Sequence, residues 1–161
     1  MSGNTQNAAA TIVQQPPNAW ISKHQELAQW TLDQLALKRD RHGVYSAKGH
    51  AKWGYSPVTL EVLVRHFRGE RTIGLGSTSL EDLCLWVAWD MDNHVSDQAT
   101  TLNLDYGIVL RERLNFFGLK CLIEDSDGKG GIHGLLLFSR PIPAAIAHSF
   151  AAWIARDYQE H

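Results

Sequence analysis

The sequence predicts an α+β fold, with a split β-α-β core that lacks its last strand and two helices before it. Two observations predict it. From residue 83 onward the apolar pattern reads strand, helix, strand, strand, helix, which is the order of a split β-α-β unit. The 161 residues are 44% hydrophobic, enough for one domain with its own core and too few for two. We therefore expect a single domain over 19–161, after a disordered tail over 1–18 that is rich in Asn, Gln, Thr and Ala.

Two helices are predicted before the core. Ser22 followed by Gln25 fits a capping box, and apolar residues then recur at helical spacing, which predicts a helix over about 22–38. A second stretch of helical spacing predicts another helix over about 57–68, with Gly69 as its stop.

The core begins with a continuous apolar run over 83–92, which predicts a strand covered on both faces. After Asp97 as an N-cap, apolar side chains at helical spacing predict a long helix that ends at Gly118. This apolar stripe comprises Leu102, Tyr106, Val109, Leu110, Leu114 and Phe117. The remaining predicted elements are strands over 119–124 and 132–138 and an alanine-rich helix over 144–158.

Charge and cysteine content narrow the functional classes. The formal net charge of −2 excludes a uniformly basic protein that coats nucleic acid. Residues 38–71 nevertheless hold eight Lys/Arg against three Asp/Glu, and this asymmetry fits either a polyanion-binding surface or an ordinary solvated face.

Cys84 and Cys121 lie in or beside apolar runs and predict buried thiols in a reducing compartment. No apolar run approaches the roughly 20 residues of a membrane span, so we expect a cytoplasmic protein without membrane partners.

Residues 40–56 have the composition of an irregular basic loop or hairpin, with glycines, aromatic residues and cations interleaved. Bases can stack on aromatic faces while cations neutralise phosphates, so this segment is a weak candidate for contact with single-stranded nucleic acid. The alternative is an exposed loop whose aromatic side chains fold onto the domain. The candidate contact residues are Arg41, Lys48, Lys52, Trp53 and Tyr55.

Two acidic residues end the first core strand. In a split β-α-β unit the first and third strands are antiparallel neighbours, so Asp90, Asp92 and His133 are expected at the same end of the sheet. Residues two apart in a strand point to one face, and two adjacent carboxylates need a compensating cation. Oxygen donors suit Mg²⁺ or Mn²⁺, with Asp90 and Asp92 as metal ligands. The alternative is that the acids emerge into solvent where the strand ends.

The loop before the last strand is a candidate phosphate site. Ser126, Lys129, Gly130 and Gly131 offer a hydroxyl, an ammonium and unhindered backbone N–H groups, which together suit a triphosphate. The loop is not a Walker motif, because Lys129 is followed by glycine rather than Ser or Thr. His133 is a polar residue at the start of an apolar strand and needs a specific partner, and a purely structural histidine is the alternative.

These motifs resemble the catalytic core of the archaeo-eukaryotic primase superfamily, whose members join nucleotides on a template with divalent metal. The run Asp90-Met91-Asp92 matches the first motif of the family, an acid-x-acid pair at a strand end that supplies metal ligands. The serine- and glycine-rich loop leading to His133 matches the second motif, which binds the phosphates of the incoming nucleotide. The run 66–75 also resembles the segment before the first motif in primase-like domains of phage, plasmid and bacterial conflict systems. The similarity covers about 57–143.

The resemblance implies an RRM-like catalytic domain that uses nucleoside triphosphates and a single-stranded DNA template in DNA replication or repair. It makes Asp90, Asp92 and His133 catalytic residues. Family members also carry a third motif, a later strand with another acidic residue; no such strand follows here, and Asp157 and Glu160 do not fit it. The resemblance thus implies a truncated, split or degenerate domain, or one completed by a second polypeptide such as a helicase or the remainder of the primase domain. We expect metal-dependent nucleotide binding with weak or absent polymerisation.

Other interpretations fit the same residues. A non-catalytic module for nucleotide or nucleic-acid binding would keep its nucleic-acid affinity when Asp90 is replaced by Asn. A metal-dependent nuclease would use the same acids and His133 and would cut DNA in the presence of Mn²⁺. An unrelated ferredoxin-like domain would leave Asp90 and Asp92 on an ordinary solvated edge.

Overall fold

The computed structural model describes residues 18–45, 51–92, 99–126 and 130–157, and it has the predicted α+β architecture. The predicted tail, apart from Asn18, lies outside these residues. The amino-terminal elements are α1 (Asn18–Ser22), α2 (His24–Gln34), β1 (Gly43–Tyr45), β2 (Ala51–Trp53), α3 (Leu60–Phe67) and β3 (Ile73–Gly74). The carboxyl-terminal elements are β4 (Leu83–Met91), α4 (Ala99–Phe116), β5 (Cys121–Asp125), β6 (Ile132–Pro143) and α5 (Ala144–Ile154).

The first predicted helix is divided and shorter than expected. Ser22 ends α1, and Lys23 precedes α2 without a side-chain capping hydrogen bond, so the predicted capping box is wrong. α2 also ends before residue 38. Arg39 accounts for that end, because its guanidinium donates to the carbonyl oxygens of Leu32 at 2.7 Å and Ala36 at 2.9 Å.

The second predicted helix is confirmed, with a later start. α3 begins after Thr59, whose hydroxyl accepts a hydrogen bond from the backbone N–H of Val62 at 3.3 Å. Residues 40–56 contain the hairpin that their composition allows, in which β1 pairs with β2 on one side and with β3 on the other. These elements surround a small core that comprises Ala28, Ala36, Val58, Leu63, Val64 and Ile73.

The carboxyl-terminal sheet has the topology of a split β-α-β unit. Its order is β4-β6-β5, both pairs are antiparallel, and β6 lies in the middle. The first and third strands of the unit are therefore neighbours, as the sequence predicts. α4 and α5 pack against one face of this sheet. The core between them comprises Trp89, Met91, Leu110, Leu114, Cys121, Ile132, Leu136 and Ile154.

β4 is covered on both faces only over part of its length, whereas its apolar run predicts cover on both faces throughout. Trp89 points towards the helices and donates its indole N–H to the carbonyl of Ala151 in α5 at 3.0 Å. Ala88, on the opposite face, is exposed. Farther back on this open face, Trp86 donates to the carbonyl of Leu35 at 2.9 Å and so links β4 to the amino-terminal elements.

α4 buries a face that its apolar stripe predicts only in part: Leu110 and Leu114 are buried as expected. Leu102 and Val109 are exposed, although both belong to the predicted stripe. Gly107 makes the observed contact possible, because a Cβ there would lie 3.2 Å from Ile132 Cγ2 on the sheet. A search for apolar periodicity misses a packing face that contains a glycine and an amide. The buried positions of α4 are Asn103, Gly107, Leu110 and Leu114.

Both cysteines are buried, as predicted. Burial raises the pKa of the Cys84 thiol and of the Cys121 thiol, which keeps both protonated and unreactive. Among the described helices, none is both long enough and apolar enough to cross a membrane.

Candidate functional site

Three polar side chains form a row across the open face of the carboxyl-terminal sheet. The register pairs Asp90 of β4 with His133 of β6, and it pairs His133 with Glu124 of β5. Directly paired residues of antiparallel strands present their side chains on the same face. The imidazole Nε2 lies 3.3 Å from Asp90 Oδ1, and Nδ1 lies 3.1 Å from Glu124 Oε1. The expected proximity of Asp90 and His133 is found, and a second carboxylate lies on the other side of the ring.

Asp92 contacts the same end of the row. Its carboxylate lies close enough to act on the charge of Asp90, as expected for residues two apart on one strand face. Partial burial raises the pKa of Asp90, the charge of Asp92 raises it further, and His133 acts in the opposite direction. Two carboxyl groups that crowd in this way form a place where a cation relieves repulsion.

The acid pair has the chemistry of a site for a hard divalent cation. In the described parts of the chain, no group of three or more His, Cys, Asp or Glu side chains could hold an ion. Mg²⁺ does not need such a cage, because it commonly takes one or two carboxylates and completes its shell with water and phosphate oxygens. Asp90 and Asp92 therefore fit a cation that is shared with a phosphate-bearing ligand.

The glycine loop is anchored at its base. The backbone N–H of Ser126 donates to the carbonyl of Gly131 at 2.9 Å, which closes the loop. The buried amide of Asn103 in α4 donates to the carbonyl of Gly130 at 3.0 Å. Gly130 has a φ of +97°, which a side chain would strain, and both glycines are buried. Lys129, the predicted ammonium of this loop, lies outside the described residues, and phosphate binding by the loop stays a prediction.

The basic residues of 38–71 engage in several local contacts. Asp40 pairs with Lys38 at 3.4 Å and with Arg41 at 2.8 Å. The hydrogen bond from Arg41 holds the pKa of Asp40 below its usual range. A second acid, Glu70, pairs with two further arginines. Part of the predicted positive block is therefore neutralised within the amino-terminal elements.

The aromatic residues of the hairpin are more available than its cations. Trp53 is 55% exposed and Tyr55 is 92% exposed. Lys52, which precedes Trp53 in β2, is also exposed. Arg41 is tied to its neighbouring acid, and Lys48 lies outside the described residues. The proposed nucleic-acid contact thus depends chiefly on aromatic stacking surfaces.

Two residues of the site escaped the sequence-based prediction. Glu124 was detectable, because a hairpin centred on the glycine loop pairs it with His133 once the register is symmetric about that loop. Asn103 carried no comparable signal: an amide within a predicted apolar helix does not reveal that it will bond a loop far along the chain.

Comparisons with known proteins agree with the fold. The polymerase domain from Mycobacterium tuberculosis Ligase D, in complex with DNA, matches with a TM-score of 0.53 at 14% identity, over 87% of this chain and 61% of that one. At this identity the likeness establishes the fold alone, and this chain spans 61% of the length of that domain. No curated protein matches. The family model described as "TOTE conflict system, Archaeo-Eukaryotic Primase domain" matches residues 20–161, and the chain therefore belongs to that primase family.

Proposed function

We propose that this domain binds a nucleoside triphosphate together with Mg²⁺ or Mn²⁺ and transfers the nucleotide to a DNA strand on a template, in DNA replication or repair. The observation that carries the proposal is the pairing of Asp90 with His133 across β4 and β6, with the carboxylate of Asp92 close to that of Asp90. Core packing does not require an acid pair beside an imidazole on an open sheet face. Membership of a primase family supports the same assignment.

The acid pair is the proposed metal site. Asp90 and Asp92 concentrate negative charge at one point of the open face, and a bound cation would lower the pKa of Asp90. A divalent ion bound there would neutralise the triphosphate and activate the attacking 3′-hydroxyl. The two carboxylates would thereby set where on the sheet the triphosphate binds.

The other predicted residues would bind the phosphates of the nucleotide. His133 would orient them through the ring edge that faces Asp90. Ser126 and Lys129 would contribute a hydroxyl and an ammonium, and Gly130 and Gly131 would shape the backbone of the loop around them. These roles are carried over from the match to the second family motif.

We infer that the carboxylates of Asp90 and Asp92 by themselves would support only weak nucleotide transfer. The third family motif provides a further carboxylate from a later strand, and the proposed metal site has only Asp90 and Asp92. A carboxylate from the remainder of the primase domain, or from a second polypeptide such as a helicase, would complete the set.

A single-stranded DNA template is the proposed second ligand. Trp53 and Tyr55 present exposed rings on which bases can stack, and Lys52 adds a cation beside them. The Ligase D polymerase domain, which has a similar fold, was determined in complex with DNA. We extend DNA binding to the present chain as part of the proposal.

Isothermal titration with a non-hydrolysable nucleoside triphosphate tests the proposal. Binding is expected with Mg²⁺ or Mn²⁺ and not in EDTA, and Asp90→Asn and Asp92→Asn should each weaken it at least about tenfold, or ~1.4 kcal/mol. Asp105→Asn is the matched control, because Asp105 is an exposed aspartate on α4. Equal affinity in EDTA, or unchanged binding by both site variants, would contradict the proposal. Robust primer extension by the wild-type chain alone would overturn the inference of weak transfer, and DNA cleavage with Mn²⁺ would favour a nuclease.

A further inference from the structure

His133 is held between two carboxylates that belong to two different strands. Asp90 lies on its Nε2 side at 3.3 Å, and Glu124 lies on its Nδ1 side at 3.1 Å. Asp90 has a proposed role as a metal ligand. Glu124 has none in the proposed reaction, although it makes the shorter contact.

Glu124 is poorly placed to act as a ligand of the same cation. β6 lies between β5 and β4, so the backbones of Glu124 and Asp90 are separated by two strand spacings, about 10 Å. The imidazole of His133 fills the space between the two carboxylates. The contact available to Glu124 is therefore the hydrogen bond with Nδ1, and a bond to a carboxylate is stronger than one to a neutral acceptor.

The importance of this bond increases when a metal binds. A carboxylate that coordinates a cation directs oxygen lone pairs to that cation, so the contact of Asp90 with Nε2 weakens. The bond between Nδ1 and Glu124 is then left to fix the plane of the imidazole, among the contacts that the described side chains make with the ring nitrogens. Histidines that work at metal centres commonly owe their orientation and tautomer to such a second carboxylate.

We propose that Glu124 is a positioning residue for His133. It accepts the Nδ1–H of the imidazole and fixes the plane of the ring, so that the Nε2 edge faces Asp90 and the incoming phosphates. This inference rests on the proposed nucleotide-binding function for its consequence, whereas the hydrogen bond itself can be tested without any nucleotide.

Two substitutions separate the effects of charge and of hydrogen bonding. Glu124→Gln removes the charge and keeps an amide oxygen that can accept from Nδ1–H, whereas Glu124→Leu removes the acceptor. Glu112→Leu provides a control at an exposed glutamate of α4. The readouts are the ¹⁵N spectrum of labelled histidine, assigned with His133→Asn because the chain has 8 histidines, and nucleotide affinity with Mg²⁺.

We expect Nδ1 of His133 to carry a proton in the wild type and in Glu124→Gln, and the proton occupancy of Nδ1 to fall in Glu124→Leu. Nucleotide binding should weaken about tenfold in Glu124→Leu, which is the lower end of the effect seen when the carboxylate that orients a functional histidine is lost. In Glu124→Gln it should weaken by roughly two- to threefold at most, because the amide oxygen still accepts the hydrogen bond. The control should match the wild type in both readouts.

An unchanged histidine spectrum in Glu124→Leu would overturn the inference, whatever the affinity. A lower proton occupancy of Nδ1 with unchanged nucleotide affinity would overturn the link between positioning and binding, while the proposed function stands. If the wild type binds no nucleotide, the proposed function fails, and the spectrum alone decides whether Glu124 holds the ring.

Discussion

Gly134, the residue after His133, provides a sharp test of how α4 packs on the sheet. A Cβ at this position would lie 2.6 Å from Leu110 Cδ2 and 3.6 Å from Cys121 Sγ. Carbon atoms pack at about 3.5–4.0 Å, so in Gly134→Ala the Leu110 side chain must retreat by roughly 1 Å. Leu110 is 0% exposed and has no solvent to move into. We expect a loss of about 1–3 kcal/mol in the free energy of unfolding, the usual cost of overpacking.

Urea unfolding of a double-mutant cycle measures this clash. Leu110→Ala alone should cost about 2–5 kcal/mol, because it leaves a cavity in the core. In that background the new methyl group fills space instead of colliding, so Gly134→Ala should cost little or should even stabilise the fold. The coupling free energy is expected to exceed about 1 kcal/mol. Costs that add within about 0.5 kcal/mol would refute the packing described for α4 and β6.

Three further predictions concern the loop, the acid pair and the hairpin. Asn103→Leu removes the donor to the carbonyl of Gly130, which should cost about 1–3 kcal/mol and speed deuterium exchange at the Ser126 amide; unchanged exchange would contradict the proposed anchoring. The pKa of Asp90 is raised in the fold, so the folded state binds this proton more tightly than the unfolded chain, and stability falls as the pH rises above the ordinary carboxyl value of about 3.9. In metal-free buffer, thermal unfolding should therefore find Asp90→Asn more stable than the wild type at pH 7, by no more than about 1 kcal/mol given its exposure, and equal to it at pH 3; a less stable variant at pH 7 would contradict this sign. Trp53→Ala should weaken binding of single-stranded DNA by about 1–3 kcal/mol in fluorescence anisotropy, with no change in salt dependence, and unchanged affinity would exclude stacking on this ring.

The central sheet was predictable because its determinants are local and topological. The order of apolar runs predicts a split β-α-β unit, and its antiparallel pairing alone brings Asp90 to His133. The same argument, applied to the hairpin around the glycine loop, would have added Glu124, because a symmetric register pairs it with His133. The geometric part of the site thus follows from strand order and register.

The failures have a different physical origin. Serine often caps helices, but Ser22 is the last residue of α1. The end of α2 is determined by Arg39, which donates to the carbonyl of Leu32. The apolar stripe of α4 predicts only part of its buried face, because Gly107 and Asn103 pack on the sheet through size and hydrogen bonding rather than hydrophobicity. Such contacts depend on residues distant in sequence, which periodicity does not detect.

Anomalous diffraction from crystals grown with Mn²⁺ and a non-hydrolysable nucleoside triphosphate tests the central claim most directly. The account predicts a manganese peak at the carboxylates of Asp90 and Asp92, with the phosphates beside His133 and the loop that starts at Ser126. A triphosphate bound elsewhere, or manganese bound away from both carboxylates, would contradict it.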